Sequence, residues 1–401
     1  MVFFSVAFFQ FLVTLLVLLA VLPKRWRKPF LLAASYYFYA YWDYRFTLLI
    51  LTSTVVDYFI GPAIYRSQDG RRKRLLLLAS VCVNLGLLGF FKYYNFFVDS
   101  ASAVLSEWGL GISNLEIILP VGISFYTFQT MSYTLDIYRG KLKPARSFSD
   151  FALFVAFFPQ LVAGPIVRAA DFLPQLEHRV HIRGANLWAG TQIFLIGLFK
   201  KLMIADSVAP FVDAVHEYPG YYSPMTTWLC VLAYSLQIYC DFSGYSDMAT
   251  GCARMMGYEF QRNFNMPYLS ATITEFWRRW HISLSSWLRD YLYISLGGNR
   301  KGHLRTYTNL LTAMILGGLW HGASWNFVIW GTLHGAVLAL HKAWTGMPKP
   351  AFWNSGLIRV LGVASTFMFV SLVWVLFRAQ DTQTMEAVYR KLLFLDAYGA
   401  S

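Results

Sequence analysis

Charge is scarce in this sequence: only 14% of its 401 residues are Asp, Glu, Lys or Arg, against about a quarter in soluble proteins. Hydrophobic residues make up 57% and aromatic residues 18%. No polar or low-complexity stretch is long enough to link two soluble domains, and no internal repeat is apparent. The composition therefore excludes a soluble enzyme and predicts an all-α polytopic membrane protein, with one membrane domain over residues 1–401.

Motifs of several common chemistries are also missing. The sequence has no P-loop, no dinucleotide-binding glycine motif and no GxSxG nucleophile elbow. Its four cysteines show neither disulfide nor metal-type spacing, and no histidine or cysteine pair has the spacing of a zinc site. We therefore expect no metal, no tightly bound cofactor and no side-chain nucleophile.

The net charge of +13 comes from short basic clusters that lie between apolar runs. This pattern is typical of cytoplasmic loops that face anionic lipids, and it does not indicate nucleic-acid binding. The first apolar run, Ser5–Leu22, is followed and not preceded by its basic cluster, and no signal-peptide cleavage site follows it. We therefore expect a spanning helix that is retained in the mature protein. The cluster Lys24–Lys28 then predicts a cytoplasmic end here and a periplasmic N terminus.

The other apolar runs alternate with loops of opposite charge character. Those of spanning character are Phe30–Trp42, Phe46–Tyr65, Leu75–Val98, Ile117–Ile137, Leu187–Ala205, Met225–Ala249 and the last span, 357–377. The loop Asp99–Glu116 carries only acidic charges and is predicted to be external, whereas Phe151–Val162 is short and predicted to be re-entrant. The charged, Trp-rich segment Arg254–Arg305 is predicted to lie on the membrane or dip into it, and Leu310–Leu340 to break near His321. Whether further spans follow Ser401 stays open.

The first polar stretch within an apolar run is Gln237–Asp247. Asp241 and Asp247 need partners at this depth, and nearby arginines are the candidates. Tyr239 and Asp241 are therefore candidate substrate-binding residues, and the alternative is an ion-pair lattice that only holds helices together.

The second stretch is Glu275–Tyr291. If it forms one helix, a single face carries Trp277, His281, Leu284 and Leu288. Arg278 and Arg289 would flank this face, which would suit a negatively charged, nucleotide-like donor. The alternative is an interfacial anchor helix, which explains the Trp and Arg residues but not the histidine.

The third stretch, Trp320–Asn326, contains His321 between apolar runs. An ionisable group at membrane depth is costly and an imidazole exchanges protons near neutral pH, so His321 is the candidate general base. The alternative is a core histidine that pairs with a neighbouring carbonyl. Close approach of backbone or ligand is expected at Gly317, Gly318 and Gly322. His334 and His341 lack a carboxylate at matching spacing and are predicted to be packing or interfacial residues.

Several ordered motifs over about residues 117–341 resemble the membrane-bound O-acyltransferase (MBOAT) family, in particular its bacterial branch of alginate O-acetyltransferases. They are PVGISFYTFQTMSYTLDIYRG, FFPQLVAGPIVR, LQIYCDFSGYSDMATG, RRWHISLSSWLRDYLYI and GGLWHGASWNFVIWG. Residues 1–116 agree only in hydropathy. The resemblance implies a bundle of about 10 to 11 transmembrane helices with re-entrant elements around a central tunnel. It also implies that the family's histidine falls on His321 and its second polar position on His281.

The resemblance further implies transfer of an acyl group from a cytoplasmic thioester to the outer face of the bacterial inner membrane. We expect acetyl-CoA as the donor substrate and an exopolysaccharide, alginate above all, as the destination of the acetyl group. A periplasmic SGNH-like acetyltransferase or other accessory protein would be the partner. The predicted catalytic residues are His321 and His281, and the predicted substrate-binding residues are Trp320, Asn326, Tyr239, Asp241, Arg278 and Arg289.

Two other functions stay open on the sequence. One is transfer of D-alanine from a carrier protein to teichoic acid, which would require an acidic carrier to dock on the cytoplasmic loops. The other belongs to a different class, a proton-coupled transporter or flippase in which the histidines relay protons. That class favours inverted repeats with broken helices, and none is visible.

Overall fold

A computed structural model describes residues 1–106, 115, 117–161, 164–177, 182–348 and 355–396. These residues form helices joined by short connections, with no β-strand among them. Within the described residues, three helical segments are long and apolar enough to cross a membrane: Tyr44–Arg66, Gly70–Ser106 and Gly356–Arg378. The predicted all-α membrane protein is confirmed, whereas the central tunnel stays a prediction.

The contacts divide the chain into two units. The N-terminal unit comprises Met1–Gly197 and Tyr245–Gln261, and the C-terminal unit comprises Leu198–Gly244 and Arg262–Ser401. The organisation as one membrane domain, with its core motifs in residues 117–341, stays a prediction.

The N-terminal unit is built from helices of very different lengths. They are α1 (Val6–Val21), α2 (Lys24–Ala40), α3 (Thr47–Arg66), α4 (Gly70–Leu88), α5 (Tyr94–Ser106), α6 (Ile123–Tyr138), α7 (Phe148–Ala156), α8 (Phe158–Leu161), α9 (Ala169–Glu177) and most of α10 (Gly184–Phe199). Helix α1 matches the predicted first span to within one residue at each end, because the Ser5 hydroxyl caps its start.

A buried polar network joins α3, α4 and α6. The Asp57 carboxylate accepts hydrogen bonds from Ser80 Oγ at 2.6 Å and from Asn84 Nδ2 at 2.8 Å. Asn84 Oδ1 in turn accepts from Ser53 Oγ at 2.5 Å and from Thr130 Oγ1 at 3.1 Å. All five side chains are buried. We call these five residues the Asp57 network; its members supply one another's hydrogen bonds, as buried polar groups must.

Two sequence predictions fail in this unit. The loop predicted from Asp99 is helical up to Ser106, since helix α5, which follows a π-helical turn at Gly89–Tyr93, continues beyond the apolar run. The rest of that loop, residues 107–114 and 116, lies outside the described residues. Helix α6 begins later than predicted, at Ile123, because Gly122 precedes it with a left-handed backbone at φ 78°. The segment predicted to be re-entrant, Phe151–Val162, is interrupted at Phe157 and buried throughout its described residues, and its re-entrant placement stays a prediction.

The C-terminal unit contains the candidate site. It comprises a π-helical turn (Lys200–Ala205), α11 (Asp206–Glu217), the first two thirds of α12 (Pro224–Met255), α13 (Ile273–Arg279), α14 (Ile282–Trp287), a second π-helical turn (Leu288–Tyr293), α15 (His303–His321), α16 (Trp325–Thr345), α17 (Gly356–Arg378) and α18 (Thr382–Leu392). Helix α17 matches the predicted last span to within one residue at each end.

Helices α15 and α16 form a tightly packed hairpin, and its glycines explain the close approach. A Cβ at Gly318 would lie 2.2 Å from the carbonyl oxygen of Phe327, and a Cβ at Gly331 would lie 2.4 Å from that of Met314. A Cβ at Gly322 would overlap the Phe327 ring. The close approach of backbone predicted at the glycines is therefore confirmed at Gly318, where helix α16 of the same hairpin makes it. At Gly317 and Gly322 the close neighbours are the side chains of Leu288 and Phe327.

Candidate active site

His321 lies at the predicted break between the two helices of this hairpin. It is the last residue of α15, and α16 begins at Trp325 after an extended connection that starts at Gly322. The His321 ring is half-buried within a wall of aromatic rings. Their centroids lie 5.1 to 5.4 Å from that of the imidazole, at Trp320, Phe377 and Trp330. The helix end thus holds the ring in a rigid apolar setting.

His281 lies in a break that the sequence did not predict. The expected continuous helix over Glu275–Tyr291 is wrong, because α13 ends at Arg279 and α14 begins only at Ile282. His281 connects them with a left-handed backbone at φ 43°. A non-glycine residue adopts this conformation at a cost of about 1 to 3 kcal/mol, so neighbouring contacts must impose it.

Asn263 provides those contacts. Its backbone oxygen accepts a hydrogen bond from Ile282 N at 2.9 Å, and its side-chain Oδ1 accepts from Ser283 N and Oγ at 3.2 and 2.9 Å. The same Oδ1 lies 3.2 Å from Nδ1 of His281. An amide oxygen only accepts, so this network assigns the proton to Nδ1 and leaves the lone pair on Nε2. Sequence reasoning missed Asn263, which precedes the histidine by 18 residues and carries no motif.

The two predicted catalytic histidines lie side by side. The ring centroids of His281 and His321 are 6.2 Å apart, and Trp320 contacts both rings, at 5.9 and 5.1 Å. His281 is fully buried. Phe242 packs against another side of it, with the two ring centroids 4.6 Å apart and the rings nearly perpendicular, and was also missed by sequence reasoning. A small polar group of a substrate that lies between the two rings would be within reach of both imidazoles.

The first polar stretch is placed near this region but makes different contacts. Asp241 pairs with Lys201 at 2.5 Å, so the prediction of an arginine partner is wrong. The lysine comes from the π-helical turn, which places it opposite α12, and Asp206 shares it at 2.7 Å. Tyr239 packs its ring against Trp280 and its neighbours at 5.6 to 6.3 Å. The substrate-binding roles of Tyr239 and Asp241 stay predictions.

Asn326 is buried, and its side-chain amide donates to the backbone oxygen of Ala379 at 3.2 Å. This contact joins the start of α16 to the end of α17. The structure thus gives Asn326 a role in fixing the helix ends around His321, and its predicted role in substrate binding stays a prediction.

The predicted basic residues Arg278 and Arg289 line one cavity of about 380 Å³, which we call the basic cavity. Lys342 is its third cationic residue, and none of its described lining residues is acidic. Arg289 is itself exposed and is also paired with its half-buried neighbour Asp290 at 2.6 Å. Arg279 does not line this cavity, because it pairs with Glu275 at 2.7 Å. The arrangement suits a ligand with several negative charges and an apolar part.

His334 is buried completely among aromatic rings of α13, α16 and α17. The closest ring centroids are those of Trp330 at 4.6 Å and Trp277 at 5.1 Å. We call these three residues the His334 cluster. His341, seven residues later, instead lies within hydrogen-bond distance of Thr274 Oγ1, at 2.8 Å. The prediction treated the two histidines alike, because helix periodicity does not reveal that several helices enclose only the first.

Comparison with known proteins identifies the family. The family model described as MBOAT, membrane-bound O-acyltransferase family, matches residues 145–378, which is more than half of the chain and includes both histidines of the site. The chain belongs to this family. Membership in the MBOAT family makes the protein a membrane-bound O-acyltransferase, and it sets aside the transporter alternative.

Relatives in the MBOAT family are similar over nearly the whole chain. The probable alginate O-acetylase AlgI of Azotobacter vinelandii is 47% identical over 97% of this chain and 77% of its own length. The peptidoglycan O-acetyltransferase of Helicobacter pylori is 39% identical over 93% of this chain and 74% of its own length. The teichoic acid D-alanyltransferase of Bacillus subtilis is 26% identical over 64% of this chain and 68% of its own length. Similarity is therefore higher to relatives named for O-acetylation than to this one named for D-alanylation.

Proposed function

We propose that this protein transfers the acetyl group of cytoplasmic acetyl-CoA across the inner membrane for O-acetylation of an exopolysaccharide of the alginate type. The observation that carries the proposal is the pair His281 and His321 at 6.2 Å, in a chain 47% identical to a probable alginate O-acetylase. The basic cavity supports a donor that carries phosphates, because three cationic residues line it.

In this mechanism the neutral His321 is the general base. It takes the proton of an acceptor hydroxyl as the oxygen attacks the thioester carbonyl, so that a C–O bond forms. The tetrahedral intermediate then collapses, the C–S bond breaks, and the thiolate takes the proton back from His321. The acetyl group leaves as an ester and CoA leaves as a thiol.

His281 orients this exchange. Its Nδ1 donates a hydrogen bond to Asn263 Oδ1, so the lone pair on Nε2 is available to accept a hydrogen bond from a hydroxyl or an N–H group bound next to His321. The acceptor hydroxyl belongs to the polysaccharide or to a serine of a periplasmic SGNH-like partner that passes the acetyl group on. The N terminus then lies in the periplasm, and the basic loops face the cytoplasm.

Purified protein in lipid nanodiscs and acetyl-CoA labelled in the acetyl group would test the proposal. We expect release of CoA thiol and appearance of labelled ester, and both should be lost in His321→Ala. Mass spectrometry of surface polysaccharide from cells with and without the gene identifies the acceptor. Unchanged acetylation in cells that carry a folded His321→Ala variant would overturn the assignment of His321 as the general base. A product bearing D-alanine would show that the donor carries D-alanine instead of acetyl.

A further inference from the structure

His334 is a third histidine near the active site that the mechanism above does not use. Its side chain is completely buried, and neither ring nitrogen has a hydrogen-bond partner among the described residues. A buried imidazole without partners costs free energy that a phenylalanine of similar shape would avoid. This position therefore indicates a ligand with polar groups.

The two tryptophans of the His334 cluster have the same property. The indole nitrogens of Trp277 and Trp330 are buried and lack a partner among the described residues. A neutral imidazole offers one donor and one acceptor, and each indole offers one donor. The cluster as a whole thus presents three donors and one acceptor, which is the complement of a neutral molecule that has more carbonyl oxygens than N–H groups.

The His334 cluster adjoins the basic cavity on one side. Trp277 belongs to both, and Leu338 and Lys342 line the cavity from the same helix as His334. These two residues follow His334 by four and eight positions, so they share its helix face at intervals of about 6 Å. His334 is therefore one helical turn beyond the wall of the basic cavity.

On the other side the cluster adjoins the catalytic pair. The Trp330 ring centroid is 4.6 Å from that of His334 and 5.4 Å from that of His321. The order of contacts is thus basic cavity, Trp277, His334, Trp330 and His321. Charge disappears along this order, since the cavity carries three cations and the cluster only neutral polar groups.

We propose that His334, with the indole N–H groups of Trp277 and Trp330, binds the amide-bearing pantetheine arm of the acyl donor and so positions its thioester at His321. This rests on the proposed function. The phosphates of the donor stay at the cationic residues of the basic cavity, and the uncharged arm enters between the aromatic rings. The indoles donate to amide or thioester carbonyl oxygens, and the unprotonated nitrogen of His334 accepts from an amide N–H. His334 is a positioning residue, because proton transfer remains with His321.

The same arm occurs in free CoA and in a carrier protein that bears phosphopantetheine, so the probes must separate these sources. Three probes serve: acetyl-CoA, acetyl-pantetheine without the nucleotide, and an acetylated carrier protein. We expect His334→Phe to weaken binding of all three by about tenfold or more, as loss of buried hydrogen bonds does. Arg289→Gln should weaken only acetyl-CoA if free CoA is the natural source. An equal loss with the carrier would indicate that the carrier's arm and phosphate use the same cavity.

The matched control is His216→Phe, a buried histidine in the same unit that does not line the cavity. Its Nδ1 is 3.0 Å from Val212 O, and its Nε2 has no partner among the described residues, so the control shares one feature of His334 but not its position beside the cavity. His334→Asn is the rescue variant, because asparagine keeps one donor and one acceptor. We expect His334→Phe to raise KM for acetyl-CoA by about tenfold while kcat changes by less than about threefold, and His334→Asn to recover part of the loss.

Binding of acetyl-pantetheine within about twofold of wild type by folded His334→Phe would overturn the inference, as would an equal loss in His216→Phe. Failure of the proposed function looks different. In that case the wild-type protein transfers no acetyl group from acetyl-CoA, yet the His334-dependent binding of the arm is still measured directly with acetyl-pantetheine or the carrier.

Discussion

Two regions of this protein bury polar side chains in opposite ways. In the Asp57 network the carboxylate, the amide and the hydroxyl groups supply one another's hydrogen bonds. In the His334 cluster the imidazole and indole nitrogens are just as deeply buried, yet they have no partner among the described residues. Buried polar groups that satisfy one another stabilise helix packing, whereas buried groups without partners leave donors and acceptors that a bound molecule can use. The contrast predicts that mutations affect stability in the first region and substrate binding in the second.

The largest effect should come from His321→Ala. Loss of a general base lowers the rate of acyl transfer by about 10² to 10⁴-fold. Thermal stability should hardly change, since the half-buried ring leaves the α15–α16 hairpin intact. Single-turnover assays with labelled acetyl-CoA and melting curves measure the two quantities. His303→Ala, at the exposed start of the same helix, is the control and should keep its activity. If His321→Ala lowered the melting temperature as well as the activity, the loss of activity would reflect a structural role of His321 instead of a catalytic one.

The next effect should come from Asn263→Ala. This change removes the side-chain oxygen that fixes the proton on Nδ1 of His281 and accepts from Ser283 N and Oγ, whereas the backbone bond from Ile282 N to residue 263 stays. We expect acyl transfer to fall by about 10 to 100-fold, with a shifted pH profile, because the tautomer is no longer imposed.

The matched control for Asn263 is Ser283→Ala, which removes one donor to the same oxygen and a hydroxyl 3.3 Å from Nδ1 of His281 but keeps the Asn263 oxygen itself. Its rate should stay within about threefold of wild type. Equal rates for the Asn263 and Ser283 variants would contradict the assigned role of His281.

His321 and His281 show which parts of the site can be predicted from the sequence. The break at His321 was predictable because Gly322 interrupts an apolar pattern within a single segment, and the outer spans matched because caps and apolar runs are local signals. The break at His281 was not predictable, because the apolar spacing continues through it and the contacts that impose it come from Asn263. The prediction of an arginine partner for Asp241 failed for the same reason, because Lys201 reaches the carboxylate from a π-helical turn that periodicity does not reveal.

The Asp57 network should respond to mutation in stability alone. Asp57→Leu removes the acceptor of Ser80 Oγ and of one N–H of Asn84 Nδ2, which keep only Thr134 Oγ1 and the backbone oxygen of Ser80, respectively. A buried donor that loses its acceptor costs about 1 to 3 kcal/mol. We expect a clear fall in the free energy of unfolding in detergent and an unchanged KM for acetyl-CoA in the remaining folded protein. Asp57→Asn keeps one acceptor and should lose less. A raised KM with unchanged stability would place Asp57 among the functional groups and break the comparison.

The smallest effect should come from Asp241→Asn, which tests whether a partly exposed ion pair belongs to either class. The Asp241 side chain is 43% exposed and pairs with Lys201, which keeps Asp206 as a second partner. Exposed ion pairs contribute about 0 to 1 kcal/mol, so stability should change within that range and kcat/KM by less than about threefold. The expected result assigns Asp241 to the ion-pair lattice that the sequence left open. A rise in KM for acetyl-CoA that is absent in Asp206→Asn would instead show that Asp241 binds substrate. In that case a side chain whose polar atoms already have partners would still be functional, and the presence of partners would no longer distinguish structural from functional groups.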